Sequence, residues 1–266
     1  MRIVAIIQAR MSSTRLPGKV LADLGGRTML ARVVQRIRGA GLVDHVVVAT
    51  SQKPADDPIQ EECFRLAVDT FRGDESDVLD RFYRAAEVHR AEGVVRITAD
   101  CPLADPEVID HVVRGFLDQR PDFASNTLRR TYPRGLDVEV LTAPALAAAW
   151  HDARESYQRV HVTPYLYEHP ERFRLLAVTV DEDLANPAAG DYEERSRLLC
   201  EHHEPTMSNW RWTVDAAADL EFVREVYRRL GSENPFSWRD VCRLIRQHPY
   251  LAAINGSVRQ KDLVEG

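Results

Sequence analysis

The amino-acid sequence predicts an α/β fold, a mostly parallel, doubly wound sheet with an inserted middle lobe. The first 120 residues alternate strand-like and helix-like segments four times, and such alternation produces parallel strands joined by right-handed crossover helices. After residue 120 the alternation breaks off, which indicates a lobe of different construction. With 266 residues and no linker-like segment, the chain fits one large domain.

The strands of the first half are predicted by short apolar runs rich in β-branched residues. Such runs, bounded by polar loops, are typical of buried strands in parallel sheets. They occupy residues 2–8, 45–50, 68–71 and 94–99. Because parallel strands need a crossover connection, we expect a helix after each of them.

The helices that follow these strands are marked by their ends. Thr28 precedes a segment with apolar residues at helical spacing, and Gly39 ends it. The Asp-Pro pairs at 57–58 and 105–106 each combine an N-cap with a proline in the first turn. Between them, residues 76–91 carry apolar side chains along one helix face. The first half therefore contains four predicted strand–helix pairs.

The second half predicts shorter strands and a helical C-terminus. We expect strands at residues 123–126, 136–140, 173–180 and 210–214, followed by helices at 219–230 and 237–247. We expect the main domain to span residues 1–235, with the lobe at about 126–180. Residues 236–266 are expected to pack on that domain as a C-terminal helix and tail.

Composition narrows the class of protein. The chain is 44% apolar and 29% charged, which excludes collagen-like and disordered chains, since these cannot bury enough apolar surface. The longest apolar runs, at 3–7 and 145–150, fall far short of the roughly 20 residues that cross a bilayer. No separate leader segment precedes the first strand. We therefore expect a soluble cytoplasmic protein with no membrane partner.

The distribution of cysteine and charge narrows the range of partners. The four cysteines are scattered without a C-x-x-C motif, which predicts reduced structural thiols. The net charge of −6 argues against a nucleic-acid partner. Residues 1–38 nevertheless carry eight basic side chains and a single acidic one, Asp23. An acidic chain with a basic N-terminal segment indicates a local anion site.

The loop after the first strand, QARMSSTRLPGK at residues 8–19, is the first candidate site. Its three cations, Arg10, Arg15 and Lys19, are interleaved with hydroxyls and backbone amides. This combination suits a polyphosphate, because amides and hydroxyls supply directional donors while the cations neutralise charge. The loop matches neither the P-loop nor the G-x-G-x-x-G pattern. The alternative is a solvated basic loop without a ligand.

Two aspartates follow predicted strands. Asp100 comes after the strand at 94–99, and Asp215 after the strand at 210–214. Ligands of open parallel sheets bind at the carboxyl ends of the strands. Mg²⁺ needs only one or two protein carboxylates when phosphates and water complete its shell, so a shared Mg²⁺ site is predicted. The alternative is that both residues are helix caps or turn formers.

A third cluster, CEHHE at residues 200–204, contains Cys200, His202 and His203. Structural zinc sites use spaced pairs of ligands, whereas this run is contiguous and lies in a segment rich in Glu and Arg. A metal site is therefore disfavoured here, although the ligand types leave the alternative open.

Taken together, the motifs resemble a known family. The loop at 8–19 resembles the N-terminal signature of the cytidylyltransferases that activate acidic sugars, the CMP-sialate and CMP-Kdo synthetases. It is more similar still to their relatives, the spore coat polysaccharide biosynthesis protein F family. The resemblance continues through FRGDESDVLDRF at 71–82, TADCPL at 98–103, YPRGLDVE at 132–139, HVTPY at 161–165 and RWTVD at 211–215. It covers most of residues 1–230 in the expected order.

This resemblance implies a nucleotide-diphospho-sugar transferase fold, Mg²⁺ as cofactor and a homodimer. It assigns a catalytic set of three cations for a triphosphate and two carboxylates for Mg²⁺, namely Arg10, Arg15, Lys19, Asp100 and Asp215. The implied nucleotide-binding residues are Ala9, Arg10, Met11, Ser12, Ser13, Arg15, Lys19, Arg72, Gly73 and Ser76. The implied sugar-binding residues are Asn126, Arg134, Asp137, Glu139 and His161.

The predicted reaction is a nucleotidyl transfer. The anomeric hydroxyl of an acidic sugar attacks the α-phosphorus of a nucleoside triphosphate, which the resemblance implies to be CTP, and pyrophosphate leaves. Such chemistry rests on positioning and charge stabilisation. The family implies a role in surface polysaccharide biosynthesis. The alternatives are a glycosyltransferase of related fold that uses a nucleotide-sugar, and a non-catalytic nucleotide-binding scaffold.

Overall fold

A seven-stranded sheet forms the centre of the structure, a computed structural model that describes residues 1–180, 207–231 and 235–261. Its strands are β1 (Ile3–Gln8), β2 (His45–Ser51), β3 (Asp69–Gly73), β4 (Gly93–Thr98), β5 (Phe123–Ser125), β6 (Glu139–Thr142) and β7 (Leu175–Ala177). The strand order is β3-β2-β1-β4-β6-β5-β7. All neighbours pair in parallel except β6, which is antiparallel to both β4 and β5. The predicted α/β class with a mostly parallel sheet is confirmed.

Helices connect and cover these strands. In the described residues they are α1 (Met29–Ile37), α2 (Asp57–Arg65), α3 (Val78–Val88), α4 (Pro106–Gln119), α5 (Ala143–Asp152), α6 (Ser156–His161), α7 (Pro164–Tyr167), α8 (Ala217–Leu230), α9 (Trp238–Gln247) and α10 (Tyr250–Ile254). The predicted caps operate at two of them. The Thr28 hydroxyl accepts a hydrogen bond from Ala31 N at α1, and Asp105 accepts one from Glu107 N at α4. Each bond satisfies a backbone donor that the helix leaves unpaired.

The core is divided between the two faces of the sheet. Along β1, Ile3, Ala5 and Ile7 join a cluster with α1, α4, α8 and α9. The intervening Val4 and Ile6 join a second cluster with α3 and α5. Successive side chains of a strand point to opposite faces, so a strand that is apolar throughout requires helices on both sides. This is the doubly wound arrangement expected from the sequence.

Some predicted boundaries are wrong. Residues 210–214 form no strand, and only a single bridge pairs Arg211 with Arg134. These residues pass beside the loop before β6, and Trp212 N donates to Arg134 O at 2.6 Å. An apolar extended run forms a strand only where a strand edge is available to it, and β6 occupies the edge of β4. The strand predicted at 136–140 likewise begins only at Glu139.

Helix α2 is capped by Asp56 rather than Asp57, so Pro58 occupies its second position.

The thiols of Cys63, Cys101 and Cys242 are buried and free of disulfides. Across the described ranges, none of the helices combines the length and the apolar character needed to cross a bilayer. The predicted cluster at 200–204 lies outside the described residues.

Candidate active site

The carboxyl ends of β1 and β4 open into a cleft of about 920 Å³. The last residues of these strands, Gln8 and Thr98, are register partners and both line it. The cleft is therefore at the edge of the sheet where parallel α/β folds bind ligands. It brings together many of the predicted site residues, namely Arg10, Ser13, Arg15, Lys19, Asp100, Arg134, Asp137, Glu139, His161 and Asp215.

Lys19 lies at the centre of the acidic part of this cleft. Its Nζ donates to Asp100 Oδ2 at 2.8 Å, to Asp215 Oδ1 at 2.9 Å and to Val214 O at 2.7 Å. An ammonium has three donors, so all of them are used within the protein. Burial alone would lower the pKa of this ammonium, but the two carboxylates outweigh burial and raise the pKa above its usual value. The contacts of Lys19 are thus to the two carboxylates and to a backbone oxygen, and its implied role toward a triphosphate stays a prediction.

Asp215 forms more ion pairs than Asp100. Besides Lys19, it is contacted by Arg211 and by Arg15, whose Nη2 lies 3.1 Å from Asp215 Oδ2. Burial acts to raise the pKa of Asp215, but these cations, Lys19 foremost, hold it below its usual value. Asp219 Oδ2, near the start of α8, accepts one hydrogen bond from the backbone N of Asp215 at 2.9 Å. The carboxylate is therefore ionised and fixed in position.

The donor set at this point suits a hard divalent cation. Two carboxylates from distant parts of the chain converge on one cationic group, Lys19 Nζ. Thr98 Oγ1 donates to Asp100 Oδ1 at 2.6 Å and so orients the second oxygen of Asp100 toward the cleft. Carboxylate oxygens with room for water and phosphate are the ligands that Mg²⁺ prefers. Asp100 and Asp215 therefore fit the predicted metal-binding role in their chemistry.

The opposite wall of the cleft is built from paired charges. Arg130 forms a bidentate pair with Asp137, with distances of 2.6 and 2.9 Å between nitrogen and oxygen. Glu139, the first residue of β6, pairs with Arg96 of β4 and accepts a hydrogen bond from Thr163 Oγ1 at 3.0 Å. Sequence reasoning missed both arginines. The pairing of Arg96 could have been predicted from the sequence, because a charged residue inside a buried strand is rarely left unpaired.

Two arginine side chains that face the cleft have no hydrogen-bond or ion-pair partner in the described residues. Within the described part of the chain, the guanidinium groups of Arg10 and Arg134 donate no hydrogen bond and form no ion pair. Burial, and after it the neighbouring Arg130, lower the pKa of Arg134. An arginine nevertheless stays protonated in a protein. These two groups are therefore available to an anionic ligand, in contrast to Lys19 and Arg15.

Several predicted nucleotide contacts are used inside the protein instead of facing the cleft. Arg72 donates to the backbone oxygens of Ser51 and Lys53, and its ion pair is with Asp57. Ser12 Oγ donates to Glu75 and the backbone N of Met11 donates to Asp56, both on neighbouring segments, and Ser76 Oγ donates to Asp74 of its own loop. Ala9 is buried in the core, and Gly73 ends β3. These residues shape the loops around the site and do not line the cleft.

Asn126 is also buried rather than facing a ligand. Its side chain is 1% exposed, and both ends of its amide bind the chain before β6. Nδ2 donates to Leu136 O at 2.7 Å, and Oδ1 accepts from Val138 N at 2.9 Å. The structure therefore places Asn126 as the residue that holds the loop of Arg134 and Asp137 in shape. It does not line the cleft with the other residues of the implied sugar-binding set.

Arg81 on α3 is a charged residue that sequence reasoning missed. Its side chain is fully buried, and none of its three guanidinium nitrogens has a hydrogen-bond partner in the described residues. Gly73 makes room for it, because a Cβ at Gly73 would lie 2.7 Å from Arg81 Cγ. Burial, and then the charge of Arg10, lower its pKa. A buried cation without acceptors costs free energy.

We expect Arg81→Met to stabilise the protein in the absence of ligands. Replacing buried charge by apolar groups of similar volume is often stabilising, here by about 1–2 kcal/mol. The free energy of unfolding in urea would measure this. Arg84→Met on the same helix is the control, since the Arg84 side chain is exposed and pairs with Asp80. A loss of stability on replacing Arg81 would contradict the expectation.

The sequence matches a known family over most of its length. A family model described as Cytidylyltransferase matches residues 4–230. The spore coat polysaccharide biosynthesis protein SpsF of Bacillus subtilis is 32% identical over 255 residues, which cover 94% of this chain and 96% of SpsF. The resemblance found from the motifs is confirmed.

Solved structures agree with this result. The chain is similar to a cytidylyltransferase from Leptospira borgpetersenii, with 30% identity, a TM-score of 0.81 and coverage of 98% of this chain and 100% of that one. It shares the fold of a CMP:2-keto-3-deoxy-manno-octonic acid synthetase solved in complex with CTP, with 17% identity, a TM-score of 0.60 and coverage of 87% and 100%. The chain belongs to the cytidylyltransferase family and is an enzyme of that class.

Proposed function

We propose that this enzyme transfers CMP from CTP to the anomeric hydroxyl of an acidic sugar, with Mg²⁺ as cofactor and pyrophosphate as the second product. The observation that carries the proposal is the convergence of Asp100 and Asp215 on one cationic point in a cleft lined by the basic loop. The likeness to SpsF supports a place in surface polysaccharide biosynthesis. The synthetase of the same fold is named for an acidic sugar and was solved with CTP.

The nucleotide side of the reaction depends on charge. Asp100 and Asp215 would hold Mg²⁺, which when bound neutralises charge on the phosphate oxygens. Arg10 binds the triphosphate, because its guanidinium faces the cleft and has no partner in the described residues. Arg15 joins it when a phosphate replaces its contact with Asp215. Lys19 keeps both carboxylates ionised and directed at one point.

The sugar side depends on Arg134. Its planar guanidinium binds a carboxylate through two parallel hydrogen bonds. It lines the cleft and has no ion-pair partner in the described residues. Asp137 and Glu139 are held by Arg130 and Arg96, so their remaining lone pairs accept hydrogen bonds from sugar hydroxyls. His161 lines the same wall at the end of α6.

The test of the reaction is pyrophosphate release. We expect pyrophosphate from the protein with Mg²⁺, CTP and a panel of acidic sugars, and less with ATP, GTP or UTP. Release should require both substrates and stop when the metal is chelated. The side chains of Arg72 and Ser76 make contacts inside the protein, so the nucleotide preference is measured from the relative rates with the four triphosphates.

The controls separate the alternative functions. A glycosyltransferase releases a nucleoside mono- or diphosphate from a nucleotide-sugar and forms no pyrophosphate. A scaffold binds nucleotide and releases nothing. Pyrophosphate formed faster with another triphosphate than with CTP would overturn the choice of base. No pyrophosphate with any pair of substrates would overturn the proposed reaction.

We expect Arg134→Ala to raise the KM for the sugar by about tenfold or more, since a charge-assisted pair is worth more than about 1.4 kcal/mol. The KM for CTP should change little. Arg114→Ala is a matched control, because Arg114 is exposed on α4. Steady-state kinetics in both substrates measures the effect, and an unchanged KM for the sugar would remove Arg134 from the acceptor site.

We also propose that the lobe at 126–180 supplies the interface of a homodimer and that the enzyme works in the cytoplasm. Sedimentation velocity at micromolar concentration tests the first statement. A strictly monomeric chain under those conditions would refute it. Separation of cell extract into membrane and cytoplasmic fractions tests the second, and enzyme confined to the membrane fraction would refute that.

A further inference from the structure

Two histidines and an aspartate meet at the amino ends of the strands, the edge of the sheet opposite the cleft. His45 is the first residue of β2, Asp69 is the first residue of β3, and His89 is the C-cap residue directly after α3. We propose that these three side chains bind one transition-metal ion of the Zn²⁺ class. The site is separate from the carboxylates of the cleft.

The distances place three ligand atoms around one point. Asp69 Oδ2 lies 2.9 Å from His45 Nε2 and 3.8 Å from His89 Nδ1. One oxygen thus faces both imidazoles, and all the ligand atoms lie within 4.8 Å of one another. In a tetrahedral site with metal–nitrogen distances of about 2.0–2.1 Å, ligand atoms are about 3.3 Å apart. Small side-chain rotations bring the three groups to that spacing.

The chemistry of the ligands selects the metal. Imidazole nitrogens suit Zn²⁺, Co²⁺ and Ni²⁺, whereas Mg²⁺ and Ca²⁺ prefer oxygen ligands. Two imidazoles and one carboxylate leave a fourth tetrahedral position for water. That position is accessible, because the Asp69 side chain is 59% exposed while His45 and His89 are 32% and 16% exposed. The ligands therefore form a site that an ion can enter from solvent.

The surrounding fold fixes two of the ligands in relation to each other. Strands β2 and β3 pair in parallel from Val47 and Asp69 onward, which sets His45 two residues before the first paired position. His89 is brought to them from α3, and its ring lies 5.0 Å from that of His45. A bound ion would cross-link two strands and a helix. Because it binds only the folded state, it stabilises the protein.

The test uses the full chain, freed of any affinity tag and of metal by chelation, with Mg²⁺ in excess to occupy the cleft carboxylates. Calorimetric titration with Zn²⁺ is expected to show one ion per chain and a higher unfolding temperature. His45→Gln and His89→Gln, which keep polar side chains of similar reach, should each weaken binding. The loss should exceed the roughly 10–100-fold that removal of an outer-shell partner costs.

Two controls locate the ion. His151→Gln removes an exposed histidine that also pairs with an aspartate, Asp152 at 2.6 Å, and it should bind Zn²⁺ like the wild type. A variant with Cys200→Ser, His202→Ala and His203→Ala should also retain binding. Co²⁺ in place of Zn²⁺ should give the visible absorption of a tetrahedral site in the wild type and lose it in His89→Gln.

Several outcomes would overturn the proposal. No Zn²⁺ binding by the wild type, binding that persists in both His45→Gln and His89→Gln, or binding that disappears only with the residue 200–204 changes would each do so. Circular dichroism of every variant confirms that its fold is intact. Pyrophosphate release is expected to be unchanged in His45→Gln, so failure of the metal site and failure of the proposed reaction are read separately.

Discussion

Asp215→Asn and Asp100→Asn are each expected to lower turnover by a factor of about 10²–10³, the scale of losing one preorganised electrostatic group. Asparagine has nearly the same size as aspartate, so it removes the negative charge while the packing around Lys19 stays in place. A divalent cation would lose one of its two protein carboxylates. Initial rates of pyrophosphate release at saturating CTP and sugar, measured over a range of Mg²⁺ concentrations, check this.

The matched control for these variants is Asp118→Asn on α4, where the side chain is exposed. It makes the same chemical change far from the cleft and should leave turnover at the wild-type level. Wild-type rates in both Asp100→Asn and Asp215→Asn at saturating Mg²⁺ would show that the two carboxylates do not act in catalysis.

Lys19→Met is expected to change stability and metal affinity in opposite directions. The side chain of Lys19 is 9% exposed and supplies the shared cation of Asp100 and Asp215. Removing one partner of such a buried group is expected to cost about 3–5 kcal/mol. Asp100 then loses its cation, and Asp215 keeps only Arg15 and Arg211. Mg²⁺ should therefore bind about tenfold more tightly or better, a gain of about 1.4 kcal/mol.

Chemical denaturation with and without Mg²⁺ measures both effects on Lys19→Met, and calorimetry gives the Mg²⁺ affinity directly. Mg²⁺ should restore much of the lost stability, because an ion that binds only the folded state shifts unfolding by mass action. Lys53→Met, at an exposed position, is the control and should respond like the wild type. Weaker Mg²⁺ binding by Lys19→Met would refute the competition between the ammonium and the metal.

The sequence predicted those parts of the fold that depend on local pattern. The alternation of β1 to β4 with their helices follows from short apolar runs and from caps such as Thr28 and Asp105. The strand predicted at 210–214 does not form, for a reason that the local sequence pattern cannot reveal. Its apolar residues are buried, yet β6 already pairs with the edge of β4, so no neighbour remains for it there.

The candidate site was likewise predictable only in part from the sequence. Asp100 and Asp215 were predicted because a loop position after an apolar run places a carboxylate at the end of the sheet. The contact of Lys19 with both was not predictable, since its partners are 81 and 196 residues away. Asn126 and Arg72 carry residue types suited to ligands, yet their polar atoms satisfy loop backbone. Which polar groups are used internally is decided by tertiary packing.

The antiparallel position of β6 links the two walls of the cleft. Glu139 is the register partner of Arg96, and the two side chains pair. Under the proposed function, the wall offered to the sugar is therefore paired with the strand that leads to Asp100, the proposed ligand of Mg²⁺. A substitution of Glu139 that changes this wall would also leave Arg96 of β4 without its partner, whereas the guanidinium of Arg134 can be replaced without breaking an ion pair in the described residues.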